Sequence, residues 1–100
     1  MVVRILKFRV PKKNQRKMLA FMRRDPRHVL HRALGLRGAY FLREQGKRND
    51  YAWITVWASD AACRRAVRSR GWQELLRREK ASGFFAGKPD ARHYEVVLKH

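Results

Sequence analysis

The segment that most limits how this chain can fold is YAWITVW, residues 51–57. Aromatic and β-branched residues fill it, and these residue types fit the pleated surface of a β-sheet. A polar turn at residues 46–50 separates it from residues 38–45, where Tyr40 and Leu42 alternate with neighbours on the other face. Because two strands joined by a short polar turn form a hairpin, the centre of the chain is predicted to be an antiparallel pair.

Each end of the chain adds another predicted strand. Residues 2–10 read VVRILKFRV, an alternating pattern whose apolar face is broken by Arg4 alone, and Pro11 ends it because proline cannot continue a ladder. Near the other end, we predict a loop at residues 82–92 and a closing strand at residues 93–99, with Tyr94 and Leu98 on one face.

Two helical regions lie between these strands. Residues 12–34 carry apolar residues at helical spacing, and Asp25-Pro26 resembles an N-cap followed by proline in the first turn. We therefore expect one kinked helix or two short stacked helices there, with Gly35 as a C-cap. The second region has Ser59 as a plausible N-cap, runs to about residue 69 and restarts over residues 72–80.

The order of elements is therefore β-α-β-β-α-β, within a length typical of one domain. This order predicts the α+β ferredoxin-like fold, a four-stranded antiparallel sheet with both helical regions on one face. We expect residues 1–100 to form this single domain.

The charge is far from balanced, because 25 basic residues against 8 acidic ones give a formal net charge of +17. Such a field attracts nucleic acid, acidic lipid, phosphates or an acidic protein, although a biased composition produces the same surface. The apolar segment at the N-terminus is short and interrupted, and no run approaches the roughly 20 apolar residues of a membrane span. A single cysteine, Cys63, cannot form an internal disulfide. We expect a cytoplasmic, soluble protein.

Four segments in register resemble the antibiotic biosynthesis monooxygenase superfamily. They are the Phe-x-Val-Pro end of the first strand, Leu36-Arg37-Gly38-Ala39-Tyr40 before the hairpin, the junction Trp57-Ala58-Ser59-Asp60-Ala61-Ala62, and Ser69-Arg70-Gly71-Trp72. The resemblance covers nearly the whole chain and implies a dimeric α+β barrel. Members of this superfamily include oxygenases that need neither metal nor flavin, haem-degrading proteins, and proteins without a known activity.

The resemblance also implies site residues. Some cofactor-free oxygenases place an asparagine and a tryptophan four residues apart against the substrate, and Asn49 and Trp53 have that spacing. The haem-degrading members use a tryptophan and a histidine at positions that here fall near Ala66 and Leu76, so we expect no haem and no other cofactor. The implied function is monooxygenation of a small phenolic or quinol-like molecule, in an active or an inactive family member.

A substrate cavity between helices and sheet is expected from the same resemblance, because ligand sites are usually apolar clefts with few polar groups. Its expected lining residues are Phe8, Tyr40, Trp53, Trp72 and the turn that carries His28 and His31. Trp53 and Trp57 share a sheet face, and the alternative is that they fill the barrel between two subunits. We expect a homodimer, since a sheet face bearing tryptophans does not stay exposed to water.

Other chemistries have weaker support. His28 and His31 lie three residues apart on a helix, but they have no nearby carboxylate or cysteine to complete a metal site. Cys63 stands among arginines, which would lower the pKa of an exposed thiol, whereas buried cysteines are usually inert. We predict no metal.

RNA binding is the alternative function. RNA-recognition motifs have the same order of elements and stack bases on strand aromatics, and Tyr51 and Trp53 have the required alternation. The basic residues, however, lie on both predicted helical regions and also on the strands, which favours a biased composition, and a patch formed by the helices would lie opposite the sheet aromatics. We therefore expect weak, sequence-independent binding to polyanions.

Overall fold

The computed structural model describes all 100 residues and contains four strands and four helices. The strands are β1 (Val2–Arg9), β2 (Leu36–Arg43), β3 (Asp50–Trp57) and β4 (Ala86–Glu95). The helices are α1 (Lys12–Arg24), α2 (Pro26–Arg32), α3 (Asp60–Arg68) and α4 (Arg70–Ser82). Each predicted helical region is a pair of helices, so the predicted β-α-β-β-α-β order is confirmed.

The strands form one antiparallel sheet in the order β2-β3-β1-β4. In the central pair, Leu6 lies opposite Trp53, and Arg4 lies opposite Thr55. Since β1 and β3 come from different halves of the chain, their pairing interlocks the two halves. This is the ferredoxin-like arrangement that the sequence predicts.

The two faces of the sheet differ sharply. Side chains of β3 alternate between buried and half-buried along the whole strand, as expected when helices cover one face. The covered face packs Leu6, Phe8 and Trp53 against Met18 of α1 and Leu75 of α4. The other face, called here the open face, carries apolar residues without any helix above them: Val3, Ile5, Tyr40, Leu42, Ile54, Val56 and Tyr94.

The tryptophans of β3 lie on the covered face. Trp53 and Trp57 are both buried by helices of the same chain. The expectation that a partner's sheet covers them is therefore wrong, because their parity along β3 places them with Leu6 and Phe8. A second copy of the chain can therefore meet only the open face of the sheet.

The break between α1 and α2 falls at Asp25-Pro26, as predicted, but Asp25 is not an N-cap. Its backbone is helical, at φ −66° and ψ −40°, and its side chain makes no capping bond. The carboxylate instead accepts a hydrogen bond from Arg78 Nη1 at 2.8 Å and so links the α1–α2 corner to α4. Ser59 does cap α3, because its Oγ accepts from the Ala62 N–H at 3.1 Å.

The last strand differs from its prediction. β4 occupies Ala86–Glu95, most of which was expected to be a loop, and residues 96–100 lie outside the sheet. Its length is set by its partner, since the register runs from Arg9 opposite Ala86 to Val2 opposite Glu95. Beyond Glu95 no β1 residue remains to pair with, so Leu98 is 76% exposed. Pro89 is tolerated because β4 is an edge strand.

Gly35 joins α2 to β2 at a point of close approach. The C-cap of α2 is Ala33, two residues before the predicted position at Gly35. Gly35 has φ +85°, and a Cβ there would lie 2.7 Å from the Ala62 Cβ of α3. Its carbonyl accepts from the Ala58 N–H at 2.7 Å, which ties the start of β2 to the end of β3. Only glycine satisfies both the backbone angle and the contact.

Candidate functional site

A cleft of about 340 Å³ lies between α2, α3 and the first turn of α4. Eleven residues line it: His28, Val29, Arg32, Ala33, Leu34, Ala62, Arg65, Ala66, Ser69, Gly71 and Trp72. Residues of α2 and of the segment that follows it form one side of the cleft, and residues of α3 and the start of α4 form the other. Its volume matches the lower end of the range for small-molecule sites.

An aromatic stack lies buried behind the lining of the cleft. Trp72 packs against Trp53 with ring centroids 5.8 Å apart and ring planes 10° from parallel. Trp57 contacts the same Trp72 ring at 5.8 Å and 56°. The Trp57 indole N–H donates to Thr55 Oγ1 at 2.9 Å, whereas the Trp72 indole N–H has no protein partner. Because Trp72 is fully buried, a ligand in the cleft meets mainly the aliphatic side chains that line it, and not the face of this indole.

A buried polar cluster lies on the inner side of this stack. Arg4 and Glu79 are 6% and 3% exposed, and Arg4 Nη1 and Glu79 Oε1 have no protein hydrogen-bond partner. The guanidinium carbon of Arg4 lies 5.9 Å from the centroid of the Trp72 ring, which is a cation–π contact. No ion pair within 4.0 Å joins Arg4 to Glu79.

Burial dominates the electrostatics of this cluster. It raises the pKa of the Glu79 carboxyl to about 7, and the Arg4 charge partly opposes that rise. It lowers the pKa of the Arg4 guanidinium, which Cys63 and Glu79 oppose. Burial also raises the pKa of the Cys63 thiol despite Arg4. Cys63 is fully buried, so the inert interpretation of this cysteine agrees with the structure.

The ionisable groups that line the cleft are all basic. They are His28 and Arg32 from α2 and Arg65 from α3, and no carboxylate lines the cleft. An apolar cleft with these groups favours a ligand that carries or develops negative charge, because guanidinium groups stabilise anions.

Two of the seven predicted site residues line this cleft, His28 and Trp72. Trp53 lies directly behind Trp72. Phe8 belongs to a separate aromatic cluster, with Phe85 at 4.7 Å and Phe41 at 5.7 Å. The structure thus brings together three of the predicted residues and puts Phe8 further along the same covered face.

The remaining three predicted residues lie elsewhere. Tyr40 is 58% exposed on the open face, opposite Ile54, so it cannot share a cavity with Trp53. His31 is exposed and does not line the cleft, although it follows His28 by three residues. Asn49 precedes β3, and its Oδ1 accepts a hydrogen bond from Gln15 Nε2 at 2.9 Å. Asn49 lies four residues before Trp53, and four residues of extended chain span roughly 13 Å.

Four residues of the cleft and of the buried polar cluster were not predicted from the sequence: Arg4, Glu79, Arg32 and Arg65. Arg4 had a visible signal, since it alone breaks the inward apolar pattern of the first strand. The signal for Glu79 was weaker: it follows Leu75 by four residues and so lies on the same buried face of α4. Arg32 and Arg65 had none, because nothing in the sequence distinguishes them among 25 basic residues.

Base stacking of the RNA-recognition type is incompatible with this structure. Tyr51 and Trp53, the two residues proposed for stacking, are buried under the helices. Their side chains cannot reach a nucleic acid without removing the helical layer.

Metal ions and haem are two further classes of ligand. No group of three or more His, Cys, Asp and Glu side chains is arranged to hold a metal ion. At the two positions that the resemblance connects with haem degradation, Ala66 presents a methyl group to the cleft and Leu76 is half-buried hydrocarbon. Neither side chain can ligate iron, so these positions do not fit haem chemistry.

None of the helices is long and apolar enough to cross a membrane. Comparison with solved structures finds the same fold repeatedly. SnoaB, a cofactor-independent oxygenase from Streptomyces nogalater, is 22% identical, with a TM-score of 0.76 over 98% of this chain and 94% of that one. Rv0793 from Mycobacterium tuberculosis is 10% identical, with a TM-score of 0.78 over 98% and 96%.

A variant of MhuD with two manganese protoporphyrin IX molecules bound per active site is 21% identical, with a TM-score of 0.75 over 100% and 98%. No curated protein matches the chain. The family model described as antibiotic biosynthesis monooxygenase matches residues 1–78. That match covers most of the chain, and the fold agrees with it, so the chain belongs to the antibiotic biosynthesis monooxygenase family.

Proposed function

We propose that this protein is a cofactor-independent oxygenase that acts on a small phenolic or quinol-like molecule in the cleft beside Trp72. The observation that carries the proposal is the lining of that cleft, which is mainly apolar and has His28, Arg32 and Arg65 as its ionisable groups. Apolar clefts with a few polar groups are typical small-molecule sites. Membership of the family supports an oxygenase, and SnoaB is a cofactor-independent example.

The reaction needs no external reductant if the substrate is a quinol. A quinol and one O₂ give a hydroxyquinone and one water: one oxygen atom forms a bond to a ring carbon, and the other leaves as water. The ring is oxidised and supplies all four electrons that reduce O₂. The first requirement is loss of a hydroxyl proton, because the anion of the quinol gives up electrons more readily than the neutral form.

The residues that line the cleft suit this first step. His28 provides an imidazole, the commonest general base in enzymes, on the wall formed by α2. Arg32 and Arg65 stabilise the resulting anion, and the apolar lining of the cleft holds the ring. In this scheme Trp53 and Trp72 support the helices that form the cleft and do not contact the substrate.

Oxygen consumption on a panel of quinols tests the proposal. His28→Asn is expected to lower turnover by about 10²-fold or more, as loss of a general base does. His31→Asn is the matched control, because His31 lies on the same helix but does not line the cleft. Oxygen uptake no faster than without protein, across the whole panel, would overturn the oxygenase proposal, and so would equal effects of the two variants.

We also propose that the protein is a homodimer that pairs through the open face. Tyr40, Leu42 and Tyr94 are exposed there beside half-buried aliphatic residues of β1 and β3. An apolar sheet face without a helical cover favours burial against a second copy, which removes it from water.

A second candidate function is weak binding to polyanions. The observation in its favour is that α1 contains no acidic residue, while six of its basic residues are exposed: Lys12, Lys13, Arg16, Lys17, Arg23 and Arg24. Such a surface attracts phosphate backbones without reading their sequence.

A further inference from the structure

Arg4 and Glu79 are the only charged side chains among the buried residues of the chain. Arg4 lies on the covered face of β1, and Glu79 lies on the buried face of α4. Buried charges are normally paired, because each loses its hydration in the interior. These two are not paired: no ion pair within 4.0 Å joins them, and Arg4 Nη1 and Glu79 Oε1 both have no protein partner.

The Arg4 guanidinium has two potential partners in the interior. Its central carbon lies 5.9 Å from the centroid of the Trp72 ring, near the outer limit of a cation–π contact at about 6 Å. Glu79 acts on the same guanidinium by its charge, but from a greater distance than an ion pair allows. Because arginine keeps its charge in proteins, this buried cation always needs a partner, and here the partner is the indole.

The surroundings of Glu79 are those of a neutral carboxylic acid. Its side chain is 3% exposed, and one of its oxygens accepts no hydrogen bond, so an ionised carboxylate in this arrangement would lose its hydration without compensation. Burial accordingly raises the pKa of Glu79 to about 7. When the proton leaves, the negative charge needs a cation, and Arg4 is the one charged group that acts on this carboxyl.

The other ionisable groups around the pair do not replace Arg4. Cys63 of α3 acts on the guanidinium, but burial raises the pKa of its thiol and keeps it neutral near pH 7. His93 of β4 lies opposite Arg4 in the sheet and is exposed. Arg78 and Lys80 flank the carboxyl along α4, and both are exposed. Only a movement of the Arg4 side chain therefore brings a cation to the ionised acid.

We propose that Arg4 is a pH-dependent switch: it contacts the Trp72 ring while Glu79 holds its proton, and it pairs with the Glu79 carboxylate once that proton is lost. Hydrogen bonds between a guanidinium and a carboxylate are among the strongest in proteins, so the ionised acid outcompetes the indole for the cation. Trp72 belongs to the helix that begins at the cleft, so the switch connects the pH of the medium to that helix. This inference is independent of the oxygenase proposal.

NMR spectroscopy of the wild-type protein follows both partners in one pH titration. The carboxyl carbon of Glu79 reports its proton, and the indole N–H of Trp72 reports the departure of the cation from the ring. Both signals are expected to change with a common midpoint near pH 7. A carboxyl that titrates while the indole signal stays fixed would overturn the switch, and so would a carboxyl midpoint at the ordinary value of 4.5.

A variant of Glu79 tests whether this residue causes the change at the indole. Glu79→Gln is expected to hold the Trp72 signal at its low-pH position throughout the titration, because glutamine never becomes charged. His93→Asn is the matched control, since it removes the titratable side chain opposite Arg4, and it is expected to keep the transition. A transition that persisted in Glu79→Gln, or vanished in His93→Asn, would assign the effect to another group and reject the switch.

A variant of Arg4 tests the second position of the switch. Arg4→Met leaves the ionised carboxylate without a cation, so the midpoint of Glu79 is expected to rise by about one pH unit or more above that of the wild type. An unchanged midpoint would show that Arg4 does not pair with the carboxylate and would overturn the proposal. Circular dichroism verifies that the variants fold, and the wild-type titration decides the question even where a variant does not.

Discussion

The guanidinium of Arg4 rests 5.9 Å from the centre of the Trp72 ring, so that a cation from β1 faces an indole from α4 inside the protein. The indole face offers part of the stabilisation that water gives an exposed arginine. Glu79 supplies the only nearby acidic side chain that acts on Arg4, but at a separation too long for an ion pair. This arrangement makes the interior sensitive to the protonation of Glu79.

The first prediction concerns stability and pH. The pKa of Glu79 rises from 4.5 to about 7 on folding, so the unfolded chain loses this proton first as pH increases. The contribution of Glu79 to the free energy of unfolding is therefore largest below pH 4.5. It falls between pH 4.5 and 7 and is constant above that range. Glu79→Gln removes this fall, so the free energy of unfolding of the variant, relative to that of the wild type, is expected to rise by about 3 kcal/mol from pH 4 to pH 8.

Urea unfolding of wild type and variant at several pH values measures this effect. Glu74→Gln is the control, since Glu74 lies on the same helix but pairs at the surface with Arg77. A stability difference between wild type and Glu79→Gln that does not change with pH would contradict the prediction.

The second prediction concerns the connection from α2 to β2. Gly35→Ala forces a side chain onto a backbone with φ +85° and places its Cβ 2.7 Å from Ala62 Cβ. Gly46→Ala has nearly the same backbone angle, φ +80°, but no atom within 4 Å of the added Cβ. We expect Gly46→Ala to lower the free energy of unfolding by roughly 1–2 kcal/mol, because alanine is strained in a left-handed backbone. Gly35→Ala is expected to lower it clearly more, because its Cβ also clashes with Ala62. Thermal or urea unfolding of both variants checks this. Equal decreases in the free energy of unfolding would contradict the prediction, because they would show that α3 moves away from the added Cβ without destabilising the protein.

The third prediction concerns the proposed dimer. Ile54→Glu puts a charge at the middle of the open face, where a paired sheet would have to bury it, and is expected to convert the dimer into a monomer. Ala81→Glu makes the same change on the exposed surface of α4 and should leave the dimer intact. Sedimentation velocity at micromolar concentration distinguishes the two states. A monomeric wild-type protein, or a dimeric Ile54→Glu variant, would count against this interface.

The fourth prediction concerns polyanions. Labelled single-stranded RNA is expected to bind weakly, without sequence preference, and to dissociate steeply as salt increases. Replacing Lys12, Lys13, Arg16 and Lys17 together with glutamine is expected to abolish most of this binding at near-physiological salt.

A matched variant locates the binding surface. Glutamine at Arg37, Arg43, Lys88 and Lys99 removes the same number of charges outside the helices. If both quadruple variants lost the same affinity, the net charge rather than α1 would be responsible. Tight binding to particular sequences would contradict the prediction altogether.

The sequence by itself determined the order and type of most elements. Alternation in YAWITVW required a strand, and proline at residues 11 and 26 fixed where a strand ended and a helix broke. Ser59 capped the third helix because its hydroxyl bonds locally to Ala62. These features depend on neighbours a few residues apart, and that is why a linear pattern predicts them.

The tertiary structure alone decided the last strand, the covered face and the cleft. β4 took its bounds from pairing with β1, and residues 82–95 have no local pattern that fixes that register. Trp53 could pack against helices of its own chain or against a partner, depending on which face of the sheet the helices cover. His28, Arg65 and Trp72 meet only after α2, α3 and α4 pack, since contacts between residues far apart in sequence follow from the close packing of whole elements rather than from local propensity.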